Sequence, residues 1–149
     1  MNFKLKIAFG IYGLNILIMI GVGLIYEFSS EFMPFHSDVI QTKWVDVDGL
    51  SQILYLGMMR TEAAGFFATG IAILILLFIP FLKFEKWSYW SMTVVGLAEY
   101  IPTLFATYHV SSITGASPPW VMMLMLSVSL MLALYLAEAG NKELLLKGG

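Results

Sequence analysis

The fold follows from an uncharged stretch of twenty residues that begins at Ile7 and ends at Tyr26, IAFGIYGLNILIMIGVGLIY. As a helix rising ~1.5 Å per residue, this stretch is about 30 Å long, which matches the hydrocarbon core of a bilayer. Lys6 precedes the stretch and Glu27 follows it. It therefore predicts a membrane-spanning helix over residues 7–26.

Three further segments have a similar character. Residues 63–82 are uncharged, and the apolar pattern before them extends this span back to residue 53. The next span starts at Trp87 and is interrupted by Glu99 and Pro102. The last follows the helix-starting sequence Ser117-Pro118-Pro119. We therefore expect one all-α membrane domain over residues 1–149, a four-helix bundle with spans at about 7–26, 53–82, 87–109 and 119–137.

Composition excludes several classes of protein. Of the 149 residues, 59% are hydrophobic and 12% are charged, whereas soluble domains usually carry about 25% charged residues. The absence of cysteine excludes disulfides and thiolate metal sites. With a net charge of -2 and no basic cluster, the chain is not expected to bind nucleic acid. The motifs of soluble enzymes are missing too, and we expect no cofactor and no metal.

The distribution of positive charge predicts the orientation, because Lys and Arg concentrate on the cytoplasmic side of membrane proteins. In the four-span arrangement only Lys43 and Arg60 lie on one side. The other six lie on the side of the two termini, which are therefore expected in the cytoplasm: Lys4, Lys6, Lys83, Lys86, Lys142 and Lys147. Residues 28–49 then form the one long outer loop, which we expect to lie on the membrane surface or fold over the bundle mouth.

Glu99 is the main candidate for a functional residue, because ionisable groups at membrane depth usually face a cavity or a partner. It shares a helical face with Thr103, and Tyr100 follows it directly. Two structural alternatives remain open, a Glu99 that stays protonated and a Glu99 that pairs with Arg60. With Asn15, near the middle of the first span, these five residues are the predicted ligand-binding set.

Catalysis would require a second titratable group beside Glu99, and Glu62 and His109 are the candidates. His36 and His109 are the chain's two histidines, and both are placed on the outer side. Haem ligation is disfavoured because His36 lies in a loop, whereas haem sites in bundles use residues on facing helices. We interpret both histidines as surface residues, with a divalent metal held by His36 and loop acids as a weaker alternative.

Close packing in the second span is predicted from small residues, because helices in lipid associate where their backbones can approach each other. One face of this span carries such residues at helical spacing: Gly57, Thr61, Ala64, Ala68 and Ala72.

Several short sequences suggest a family. They are Met33-Pro34-Phe35-His36, Trp44, residues 54–60 (LYLGMMR) and Lys86-Trp87. In these residues and in layout the chain resembles the small four-helix bacterial membrane proteins of the DoxX-like group. That resemblance implies the bacterial inner membrane and, since the name-giving kind is associated with a quinone oxidoreductase, an accessory role.

A fainter likeness is to the four- or five-span proteins of the sterol-isomerase and sigma-2-receptor type. There, acidic residues inside the bundle face an apolar ligand, and Glu62 and Glu99 would occupy comparable places.

These observations predict a small multi-pass protein of the bacterial inner membrane that binds an apolar or amphipathic ligand or serves a membrane complex as an accessory subunit. The alternative is an isomerase-like enzyme that uses Glu99 for proton transfer on a lipid or sterol-like substrate. Membrane lipids, an apolar small molecule, and a second copy or a larger complex are the expected partners.

Overall fold

The computed structural model describes residues 1–148, with side chains described as far as residue 146. The chain is 86% helical, and no strand occurs within the described residues. In chain order the elements are α1 (Phe3–Phe28), α2 (Pro34–Ile40), a 3₁₀ turn (Trp44–Asp46), α3 (Gly49–Leu76) with a π-helical end (Leu77–Phe81), α4 (Lys86–Thr114) and α5 (Trp120–Gly148).

Local signals fix most of the helix ends. The Asn2 side chain accepts a hydrogen bond from the Leu5 amide and starts α1, and Asp48 accepts from two amides at the start of α3. Gly115, at φ 71°, closes α4 in the left-handed conformation that glycine tolerates. The starts of α1 and α3 and the end of α4 therefore lie a few residues outside the predicted spans.

The last helix does not end at residue 137, where its predicted span ends. α5 continues through Glu138, Gly140 and Asn141 to Gly148. At Gly140 the start of α1 approaches so closely that a Cβ would lie 3.1 Å from the Leu5 amide nitrogen. The Asn2 side chain donates to the Gly140 carbonyl at 2.7 Å, and Lys4 forms an ion pair with Glu143. Gly140 thus serves helix contact rather than helix termination.

Three helical segments are long and apolar enough to cross a membrane, Phe3–Phe28, Gly49–Phe81 and Trp120–Leu146. The chain is therefore a membrane protein with at least these three candidate spans. Among the described helices α4, with 29 residues, is equally long, but it is less apolar.

The helices form one bundle. α1 packs against α3 and α5, and α4 packs against α5, whereas α3 and α4 are the least closely packed neighbours. A Cβ at Gly96 of α4 would lie 2.5 Å from Leu130 of α5 and 3.3 Å from Ile73 of α3, so these three helices meet tightly at that level.

The small-residue face predicted for the second span is not its packing face. Gly57, Thr61, Ala64 and Ala68 are exposed, and no atom lies within 4 Å of a Cβ built at Gly57. α3 instead buries the opposite, bulkier face: Met59, Ala63, Phe66, Gly70 and Ile73. The prediction failed because a single small residue, Gly70, gives α1 its close approach while larger side chains fill the remaining contact.

Candidate functional site

The loop of residues 28–49 packs over one end of the bundle, and Phe32 anchors it there. Its side chain is 5% exposed and makes edge contacts with Trp44 and Tyr55, with ring centroids 4.9 and 5.5 Å away. Phe32 also contacts the ring of His36 in α2 at 6.0 Å. These contacts seat α2 over the bundle mouth, one of the two placements predicted for this loop.

Beneath and beside α2 lie four cavities of about 410, 300, 490 and 380 Å³, and Glu62 lines every one of them. Tyr26 of α1 and Met58 of α3 each line three of the four. We call these four cavities together the Glu62 chamber. Most of its other walls are apolar, with contributions from α1, α2, α3, α4 and the start of α5.

Glu99 lines one of the four cavities of this chamber. With Glu62 it lines the cavity of about 410 Å³ between α3 and α4. A Cβ at Gly65 would lie 3.3 Å from both Glu99 carboxyl oxygens, so the glycine makes room for the carboxyl group against α3. Thr69 Oγ1 lies 3.5 Å from Glu99 Oε2, which is a long hydrogen bond. Glu99 therefore faces α3.

The two carboxyl groups have no cation beside them. Among the side chains of residues 1–146 the single ion pair is Lys4–Glu143, at the other end of the bundle. Arg60 is exposed, and its position two residues before Glu62 directs it to another side of α3. The Arg60–Glu99 pair considered from the sequence is not formed.

Thr103 is the other predicted residue that the chamber contains. It lines three of the four cavities, and its hydroxyl donates to the Glu99 backbone carbonyl at 2.9 Å. Its side chain therefore lies on the chamber side of α4, one helical turn after Glu99.

Asn15 and Tyr100 lie elsewhere, in a buried hydrogen-bond network. The Tyr100 hydroxyl donates to Asn15 Oδ1 at 3.1 Å, and Asn15 Nδ2 donates to Ser129 Oγ at 2.9 Å. Asn15 is 1% exposed and Tyr100 is fully buried. The network joins α1, α4 and α5, and neither residue lines the chamber cavities.

The two histidines are in different environments. His109 is exposed on α4, whereas His36 lines two of the chamber cavities together with Glu62. Burial lowers the pKa of His36 below its usual value. Both were predicted to be surface histidines. The signal for a different environment of His36 is the apolar run Phe32–Phe35 directly before it, of which Phe32 is buried.

Within the described residues no group of three histidine or acidic side chains is close enough to hold a metal ion. The chamber offers apolar walls, the Glu62 carboxyl group in all four cavities, the Glu99 carboxyl group in one of them and the His36 imidazole near α2.

Comparison with known proteins adds no constraint, since no family model, curated protein or solved structure matches the chain.

Proposed function

We propose that the chain is a four-span protein of the bacterial inner membrane with both termini in the cytoplasm, and that it binds an apolar or amphipathic molecule in the Glu62 chamber. The lysine distribution supports the orientation, and the packing of α4 on α5 supports a fourth span. A cysteine at Ser37 should then react with an impermeant thiol reagent added outside intact cells, and a cysteine at Glu85 should not. The reverse labelling would reject this orientation.

The observation that carries the binding function is the presence of two carboxyl groups, Glu62 and Glu99, in one largely apolar cavity without a neighbouring cation. Glu99 is half-buried against α3, where a polar group is costly unless something satisfies it, and Glu62 is an exposed residue that lines the same cavity. A ligand with an apolar body and a polar end fits this distribution, since the body would cover the walls and the polar end would meet a carboxyl group.

The weak contact between α3 and α4 gives such a molecule a route from the bilayer. These two helices are the least closely packed neighbours in the bundle, and the cavity shared by Glu62 and Glu99 lies between them. A lipid-soluble ligand would enter sideways there without crossing water.

The test is the ligand content of carboxyl variants. Organic extracts of the purified protein, analysed by mass spectrometry, should contain a co-purified molecule that Glu99→Gln and Glu62→Gln lose or reduce. Glu27→Gln is the matched control, because Glu27 is half-buried near the outer end of α1 but does not line the chamber. Equal ligand content in the native protein and in the three variants would reject the binding function.

A second candidate is proton-transfer catalysis, which the shared cavity of Glu62 and Glu99 also favours. One carboxylate would remove a proton from a carbon of the substrate, and the other group, in its protonated form, would return a proton at a different carbon. His109 does not reach this cavity, so Glu62 is the better second group. Turnover in D₂O should place deuterium on a co-purified lipid carbon, and Glu99→Gln should abolish the label.

A further inference from the structure

His36 is the one titratable side chain of the chamber that belongs to α2. Its imidazole packs against Phe35, with ring centroids 4.2 Å apart, and against Phe32 at 6.0 Å. The backbone amide of His36 donates to the Met33 carbonyl at 2.8 Å. The ring is therefore fixed in place by α2 and its aromatic neighbours.

The two ring nitrogens of His36 differ in their surroundings. Within the described residues Nδ1 is buried and has no hydrogen-bond partner, whereas Nε2 is accessible. Because His36 lines two of the chamber cavities, Nε2 is the ring nitrogen left accessible to a ligand. A charged imidazole would bury an unpaired N–H at Nδ1, so the site favours the neutral ring.

The groups that face His36 define the chemistry near it. Tyr26 of α1 and Tyr55 and Glu62 of α3 line the same cavity, and the α4 residue there is Val110. This end of the chamber thus offers an imidazole nitrogen, two phenol-bearing side chains and a carboxyl group.

We propose that His36 and Glu62 together bind the hydroxyl headgroup of a neutral amphiphile, with the apolar body of the molecule in the inner chamber. This inference rests on the proposed binding function and names the ligand class. A hydroxyl both donates and accepts, so it can accept a hydrogen bond from Nε2–H of the neutral imidazole while it donates its one proton to Glu62. An anionic headgroup is repelled by the carboxylate, and an ammonium group cannot accept a bond from an imidazole N–H.

The test uses three radiolabelled probes with the same hydrocarbon chain, monoolein, oleylamine and oleate, and the full chain in detergent. Monoolein should bind most tightly. His36→Phe keeps the aromatic packing and removes both nitrogens, so it should weaken monoolein binding about tenfold, the value of one well-formed hydrogen bond. His36→Gln, whose amide reaches near the position of Nε2, should recover part of this loss.

Two controls separate a binding role from a packing role. His109→Phe changes an exposed histidine outside the chamber and should leave monoolein affinity unchanged. The melting temperature of each variant identifies any that is misfolded.

The outcomes distinguish this inference from the binding function on which it rests. Tighter binding of oleylamine or oleate than of monoolein would overturn the hydroxyl class and leave the chamber as a ligand site. Native affinity in His36→Phe would remove His36 from the site. Failure of the native chain to bind any of the three probes would reject this inference and also count against the binding function.

Discussion

The half of the bundle that contains the chain ends and the half that contains α2 differ in their polar groups. In the first half the Tyr12 hydroxyl bonds both the Tyr89 carbonyl, at 3.1 Å, and Thr93 Oγ1, at 2.9 Å. Gly140 there admits the start of α1 at close range. In the α2 half Glu62 and Glu99 have no cation within ion-pair distance among the side chains of residues 1–146. Cavities occur in both halves, since one of about 550 Å³ lies between α1 and α3 in the first half. The carboxyl groups, and not the open space, therefore distinguish the α2 half.

The largest expected effect concerns the packing of α2 on its half of the bundle. Phe32→Ala removes a buried ring that contacts Trp44, Tyr55 and His36, and large-to-small changes of this kind cost about 3–5 kcal/mol. Because α2 is a short cover, we expect local opening rather than global unfolding. Amide hydrogen exchange should accelerate over residues 34–47 and remain unchanged in α5.

Phe28→Ala is the matched control, since Phe28 is 79% exposed. It should leave exchange in α2 as it is. If Phe32→Ala unfolded the whole bundle, α2 would be part of the stabilising core and the contrast between the halves would be lost.

The next effect tests the packed region directly. Gly96→Leu forces a side chain between Leu130 and Ile73, and overpacking of this kind should destabilise the bundle by about 1–3 kcal/mol. Gly57→Leu, at an exposed position of α3 with open space around it, is the control and should cost far less. Thermal unfolding in detergent measures both. Equal losses would mean that the meeting point of α3, α4 and α5 is looser than the structure shows.

A smaller effect separates structural polar groups from those in the chamber. Tyr100→Phe leaves Asn15 Oδ1 without its donor and should cost about 1 kcal/mol, near the average for hydrogen bonds between membrane helices. Ligand content should not change. Tyr135→Phe, at an exposed phenol of α5, is the control. Loss of the co-purified molecule in Tyr100→Phe would return Tyr100 to the binding site predicted from the sequence.

The sequence predicted those features that depend on a single segment. Uncharged runs located three helices that are apolar enough to cross a membrane. The partner of a side chain was harder to predict, because it depends on the rotation of a second helix. Asn15 and Glu99 were assigned to one site, yet the first faces α4 and α5 and the second faces α3.

His36 illustrates the same limit for the loop. Whether residues 28–49 lie on the membrane surface or cover the bundle depends on where Phe32 is buried, and Phe32 contacts Tyr55, which is more than twenty residues away in the chain. Periodicity within the loop carries no information about that contact. The chamber role proposed for His36 therefore required the structure.

The smallest expected effect on stability concerns the exposed small-residue face of α3. Ala68 is exposed, so Ala68→Leu should change the unfolding free energy of the single chain by less than about 0.5 kcal/mol, as for most surface positions. Thermal unfolding in detergent measures the change. Ile75→Leu, seven residues further along the same exposed face, should give an equally small one. Strong destabilisation of the monomer would instead show that α3 is rotated about its axis, which would also move Glu62 away from the cavity that it shares with Glu99.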